Sequence, residues 1–294
     1  MLRKKELLIE KSFFLIALIS LLSLAGIMYF LFSEGAPIFK HVAFSDFVFG
    51  QHWYPTEEPP VFGILPLIAG SVTVMLLSGL IAIPLGIMTA AYLSEIASAK
   101  IRSVVKPFIE LLAALPSVVI GFVGMVVVAP FLQNVFGAPS GLNLFNASLL
   151  LAFMAVPTIC SITEDALQSV PRALKEASLA LGATRLETLY KITFPGAFSG
   201  TATAVMLGMS RAIGETMVVL MVAGGAAILP ETIFDPVRPM PASIVAEMAE
   251  APFRSDHYFA LFATGIVLFV FTFLFNYVAF KISEKFKLKA QAGV

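Results

Sequence analysis

The sequence is poor in the residues that carry redox and metal chemistry. Of 294 residues one is cysteine, Cys160, and three are histidine, His41, His52 and His257. A single cysteine forms no intrachain disulfide. It lies in an apolar run, where a small buried hydrophobe is the expectation. The histidines are scattered without ligand spacing, so no metal site is expected. Charge is scarce too: Asp, Glu, Lys and Arg are 13% of the chain, against about 25% in an ordinary soluble domain. The formal net charge is zero, so no bulk attraction to nucleic acid arises. There is no G-x-x-x-x-G-K-S/T loop, hence no P-loop for ATP in this chain. No nucleophile–base constellation marks an enzyme.

What is present is apolar. Hydrophobic residues are 59% of the chain and the mean hydropathy is +0.92, which indicates an integral membrane protein. Residues 12–33 contain no charge and, at 1.5 Å per residue, reach about 33 Å, enough for a hydrocarbon core of about 30 Å. A basic start before an apolar run also suits a signal peptide, but the run is long for one and Ser33-Glu34-Gly35 is a poor cleavage site. Further spans are expected at 63–94 (with Pro66 and Pro84), 107–132 (with Pro116 inside), 147–168, 197–224 and 259–280. Backbone polar groups in lipid are satisfied within helices. The fold class is therefore all-α: a polytopic membrane protein of about six transmembrane helices.

Residues 1–60 form an N-terminal helix and an external loop, in which Trp53 and Tyr54 suit the membrane interface. Residues 61–294 form the core. With both termini on one side, 15 Lys and Arg fall in the segments of that side and three, Lys40, Arg238 and Arg254, in the opposite loops. This bias places the termini and the 169–196 loop on the cytoplasmic side of the membrane. Asn146-Ala147-Ser148 fits a glycosylation acceptor only weakly.

The 175–195 stretch, KEASLALGATRLETLYKITFP, is a polar island in this apolar chain. Gly182 suits a turn with positive φ between two short helices. Leu179, Leu181, Leu186, Leu189 and Ile192 are expected to make apolar contacts, with Lys175, Arg185, Glu187 and Lys191 in water. Such an element between two spans suits docking of a soluble partner.

The fifth span carries Arg211-Ala212-Ile213-Gly214-Glu215. A charge at a helix centre in lipid costs about 2.5–3.5 kcal/mol on insertion scales, and an intramembrane ionisable residue is a functional candidate by default. A spacing of four puts Arg211 and Glu215 on one helix face, where they can pair. A guanidinium donates in parallel to two oxygens of a tetrahedral oxyanion. Arg211 and Glu215 are thus candidate substrate-pathway residues, the alternative being a structural pair that locks neighbouring helices. Glu164 and Asp165, at a span end, are expected to be solvated at the interface. Glu247 and Glu250, one turn apart in an external segment, are expected to form a solvated face.

The 175–195 stretch also resembles the cytoplasmic EAA loop of ABC-importer permeases, through Glu176, Ala177, Ser178, Gly182 and Pro195. Five stretches (62–74, 115–124, 164–184, 208–225 and 235–250), the RAIGET string among them, resemble phosphate-importer permeases of the PstC type. The resemblance implies a type I ABC-importer permease fold, in which the EAA loop couples to the ATPase. It also implies a second, homologous permease subunit, two ATPase subunits carrying ATP and magnesium, and an external phosphate-binding protein. No cofactor is implied in this chain. Permeases for sulfate, molybdate or an amino acid share the EAA-like loop. A secondary transporter or channel, using Arg211 and Glu215 without an ATPase, is the reading from another class.

Overall fold

In the computed structural model, residues 2–292 are described, with side chains from 9 to 285. The chain enters as α1 (Leu2–Gly35), followed by a 3-10 turn to Lys40, α2 (Phe44–Phe49) and a two-stranded antiparallel hairpin, β1 (Trp53–Tyr54) and β2 (Val61–Phe62), with Trp53 opposite Phe62. Then come α3 (Leu65–Ala91), a π-helical turn at Tyr92–Ile96, and α4 (Ala99–Ala113). The helices α5 (Ser117–Val123) and α6 (Ala129–Phe136) flank a second π turn. Next are α7 (Leu144–Ser169), α8 (Arg172–Ala180), α9 (Arg185–Thr188), a third π turn at Leu189–Thr193, and α10 (Phe194–Ile213). The chain continues with α11 (Met217–Val222), α12 (Met240–Met248) and α13 (Asp256–Ala292).

Among the described residues six helical segments are long and apolar enough to cross a membrane: Ile9–Lys40, Leu65–Ile96, Ser117–Phe136, Leu144–Ser169, Arg185–Ile213 and Asp256–Lys285. The protein is an all-α, polytopic membrane protein. Its centre is the packing of α3, α7 and α10. Ile159 of α7 is wholly buried; a Cβ at Gly86 of α3 or at Gly208 of α10 would lie 2.7 or 2.6 Å from its side chain. Glycine at both positions lets two helix backbones close on one isoleucine, the means by which helices associate in lipid. At the periphery α1 packs on α13, where Gly35 faces Ile266 and Gly265 faces Leu31.

Two expected spans are interrupted. The third crossing is not one helix from 107 to 132. Residues 107–113 belong to α4, the chain breaks at Ala114–Pro116, and the crossing helix starts at Ser117. Pro116 has extended backbone, φ −61° and ψ 133°, and it disfavours helical backbone at Leu115 before it. The fifth crossing runs from Arg185 to Ile213 and stops there. Gly214 caps α10, and α11 begins three residues later.

The face opposite the α8–α9 hairpin has a second core. Phe47, Trp53, Phe62, Ile64, Leu67, Met240 and Leu261 are buried together there. Trp53 is thus a core residue and not an interfacial one; Tyr54 beside it is exposed. Asn146 is wholly buried, with Nδ2 donating to the carbonyls of Gly124 and Gly141 at 3.2 and 2.8 Å. It is a packing residue and no glycan acceptor.

Candidate functional site

Arg211 occupies the last turn of α10, where a cation is favoured by the helix dipole. It is exposed, and its Nη2 donates to the carbonyl of Ala113, the last residue of α4, at 3.4 Å. Glu215 lies in the break, half-buried, and its Oε1 accepts from the amide of Val218 at 3.3 Å. Both line one cleft with Leu151, Met154, Ala155, Gly208 and Ala212. The expected helix-face pairing is not present: among the described residues no ion pair joins Arg211 to Glu215. The reason is geometric. The i to i+4 relation needs a continuous helix, and α10 ends at Ile213. Glu215 instead caps the start of α11, and among the described residues no carboxylate is within ion-pair distance of Arg211, though Glu215 shares its cleft.

The setting is assembled from two broken helices. α11 packs on α5, where a Cβ at Gly121 would lie 3.3 Å from the Cα of Val218. This contact and the Arg211–Ala113 hydrogen bond link the segments on either side of the two breaks, and Arg211 and Glu215 lie at the level of Leu151–Ala155 on α7. That level is about 13 Å along α7 from its start at Leu144, at 1.5 Å per residue. Irregular backbone at such depth is tolerated where it is covered by protein or lines a cavity.

The hairpin is as the spacing predicts. Gly182 has φ +89°, a conformation costly for any residue with a Cβ. Thr184 caps α9, with Oγ1 accepting from the Glu187 amide at 3.2 Å and Glu187 Oε2 accepting from the Thr184 amide at 2.8 Å. Ser178 and Thr188 hydroxyls meet at 2.9 Å and tie α8 to α9. Glu176, Ala177, Gly182 and Pro195 are exposed, and Ser178 is half-buried.

Two details depart from the expectation. Leu179, Leu181 and Leu186 do not pack; Leu181 is 88% exposed, and with the exposed Leu174, Leu179, Leu186 and Tyr190 it gives the hairpin an apolar crest. Lys175 is not in open water. Its Nζ donates to Glu95 Oε1 at 2.5 Å and to the Leu167 carbonyl at 3.1 Å.

Two further acids differ from expectation. Glu164 is only 1% exposed, held by Arg102 and Lys106, both at 2.7 Å, and by Gln168 at 2.6 Å. Its side chain points across α7 to α4 and not into the interface; Asp165, 66% exposed, is the solvated one. The hydrogen bond from Lys106 to Glu164 holds the lysine above its ordinary pKa. Glu247 is 12% exposed and accepts from Trp53 Nε1 at 3.0 Å, Arg238 Nη1 at 2.5 Å and Ser243 Oγ at 3.3 Å, with His257 Nε2 at 2.8 Å. It fastens α12 to the β hairpin and to α13, while Glu250 stays exposed. A lone Glu in an amphipathic segment does not reveal this, because Trp53 lies 194 positions away.

Among the described residues no group of three His, Cys, Asp or Glu side chains is placed to hold a metal. The family model described as a binding-protein-dependent transport system inner membrane component matches residues 82–287. The chain is 40% identical over 260 residues to a probable ABC transporter permease, YqgH of Bacillus subtilis, covering 88% of this chain and 82% of that one. It is 35% identical over 283 residues to the phosphate transport system permease PstC of Mesorhizobium japonicum, covering 90% and 85%. In fold it is similar to a chain of the MetNI methionine ABC transporter, with TM-score 0.59, 20% identity and 75% and 96% coverage. It is also similar to a chain of a bacterial alginate ABC transporter, with TM-score 0.58, 18% identity and 91% and 94% coverage.

Proposed function

Because the chain belongs to the family of binding-protein-dependent transport system inner membrane components, we propose that it is the membrane subunit of an ATP-driven importer whose cargo is inorganic phosphate. Its relatives named PstC, at 31–35% identity over most of the chain, support the cargo. The observation that carries the reading is Arg211: a guanidinium with no ion-pair partner among the described residues, at the end of a broken helix. Its planar fork is matched to a tetrahedral oxyanion.

The mechanism follows from the parts. The excess of Lys and Arg on the hairpin side supports a cytoplasmic position for the α8–α9 hairpin and both termini. There its apolar crest and the exposed Glu176–Ala177 and Gly182 turn dock on an ATPase subunit. The chain has no P-loop, so ATP and magnesium are held by that partner. A second permease subunit completes the pathway on the open side of Arg211, and an external binding protein delivers the anion. Movement of the hairpin alternates access to the Arg211 level. Arg211 binds the anion through charge-assisted hydrogen bonds. Glu215, anchored at the start of α11, keeps a negative charge close enough that the anion is held weakly and leaves. The Arg211→Gln variant tests this. Uptake at low phosphate is expected to fall about 10-fold or more, the loss of a charged hydrogen bond, with assembly retained. Unchanged rate and half-saturation in an assembled complex would sink the assignment.

A further inference from the structure

In the half of the molecule that holds the hairpin, α4, like α8, has no fully buried side chain, whereas α7, on which it leans, buries more than a dozen residues. Val105 and Ile109 give it a partial hold on the cluster of Leu93, Leu167, Val170 and Leu189. Otherwise, besides the exposed Lys106–Asp165 pair at 3.0 Å, α4 is held among the described residues at its start, along its length and at its end. At its start, Glu95 in the preceding π turn takes the Lys175 ammonium at 2.5 Å, four residues before Ala99. Along its length, Arg102 and Lys106 clasp the buried carboxylate of Glu164 at 2.7 Å each. At its end, the Ala113 carbonyl receives Arg211.

These three contacts have different owners. Lys175 belongs to the hairpin, Glu164 to the packed centre, and Arg211 to the cleft. An element with few buried contacts moves at the least cost. The Lys175–Glu95 pair is 19% and 23% exposed, so it is shielded from water and salt more than a surface pair. α4 is about 22 Å long at 1.5 Å per residue. It therefore spans the distance between the hairpin and the level of Arg211.

We propose that α4 is the strut that carries hairpin movement to Arg211, with the Lys175–Glu95 pair as its drive point and Glu164 as its pivot. Lys175 and Glu95 are then positioning residues: they touch no substrate and act through the Ala113 carbonyl on Arg211. The inference rests on the transport reading above and extends it to the mechanical link. A pair that merely stabilised the fold would lower uptake and hydrolysis together. A drive point separates them.

The test uses the complete complex, with partner permease, ATPases and binding protein, in proteoliposomes. Phosphate uptake and ATP hydrolysis are measured in parallel for Lys175→Ala, Glu95→Ala and the exchange Lys175→Glu with Glu95→Lys. Each single variant is expected to lower phosphate moved per ATP about five-fold or more, the range of ordinary coupling energies, with hydrolysis within about two-fold. The exchange is expected to restore at least half of the ratio. An unchanged ratio in the single variants overturns the proposal, as does loss of assembly that the exchange does not reverse. A second readout needs no phosphate. With Cys160→Ser and Leu115→Cys, labelling by a membrane-impermeant thiol reagent is expected to change rate on ATP addition. The Lys175→Ala variant is expected to abolish that change while hydrolysis persists. If wild-type complex shows the ATP-dependent labelling without phosphate uptake, the cargo is wrong and the strut stands. If Lys175→Ala leaves the ATP-dependent labelling intact, the strut is wrong whatever the cargo.

Discussion

The Arg211 guanidinium hydrogen-bonds the carbonyl of Ala113, 98 positions earlier in the chain. The contact is long, 3.4 Å, and neutral on the acceptor side. It orients the arginine without cancelling its charge. An ion pair at the same place would hold the side chain more firmly and leave less attraction for an anion. Arg211→Lys keeps the charge and loses the fork. In uptake assays it is expected to retain more activity than Arg211→Gln but less than wild type, with the deficit in half-saturation. Equal activity of Lys and Gln variants would remove charge from the explanation.

Leu181 and Leu186 are exposed in a hairpin that is otherwise internally satisfied. The double variant Leu181→Ser with Leu186→Ser is expected to change thermal stability by no more than about 0.5 kcal/mol, as for surface positions generally. Recovery of the ATPase subunit on co-purification is expected to fall at least ten-fold. Full recovery of the ATPase would show that the crest is not the docking surface.

Gly182 tests the turn itself. No neighbouring atom lies within 4 Å of a Cβ placed there, so Gly182→Ala meets only the backbone cost of φ +89°. That cost is about 1–2 kcal/mol. Faster proteolysis of the hairpin is the expected readout, with the spans intact. Proteolysis at the wild-type rate would show that the turn adopts another conformation.

The clasp at Glu164 is expected to be strong and insensitive to ordinary pH. Lys106 is held above its usual 10.5 chiefly by the hydrogen bond to Glu164. Its contribution is therefore complete below 10.5 and is lost as pH rises through the higher folded value. The stability gap between wild type and Lys106→Met should be flat from about pH 6 to 9. A gap that closes within that window would contradict the pairing. Glu164→Ala leaves Arg102 and Lys106, both partly exposed, without their shared carboxylate and is expected to cost about 1–3 kcal/mol, read as a lower unfolding temperature in detergent.

Trp53 is the single tryptophan of the chain, and its indole donates to Glu247. Glu247→Gln is expected to shift its fluorescence emission and to weaken the hold of Arg238 and His257. An unshifted spectrum would mean that the carboxylate is not the partner of the indole in solution.

The spans and the hairpin were legible because each follows from local pattern: apolar runs near 20 residues, and glycine between two polar helical stretches. Thr184 with Glu187 even carries the capping signature. The two breaks were not legible, for different reasons. Pro116 interrupts its helix, yet Pro84, Pro107 and Pro157 sit inside α3, α4 and α7. A proline in lipid therefore does not by itself locate a break. Gly214 ends α10 although the apolar pattern resumes at Met217, and periodicity passes over a gap so short. Glu164 and Glu247 were misplaced because their partners lie in other helices. No local pattern distinguishes an acid that faces water from one that faces Arg102 or Arg238.

Radiolabelled phosphate uptake at low external concentration bears on the whole reading, measured with and without this chain, with excess unlabelled sulfate, and after ATP depletion. Uptake is expected to require the chain and ATP and to be unaffected by sulfate. Uptake indifferent to the chain would contradict the phosphate assignment, and chain-dependent uptake that survives ATP depletion would contradict the coupling to an ATPase.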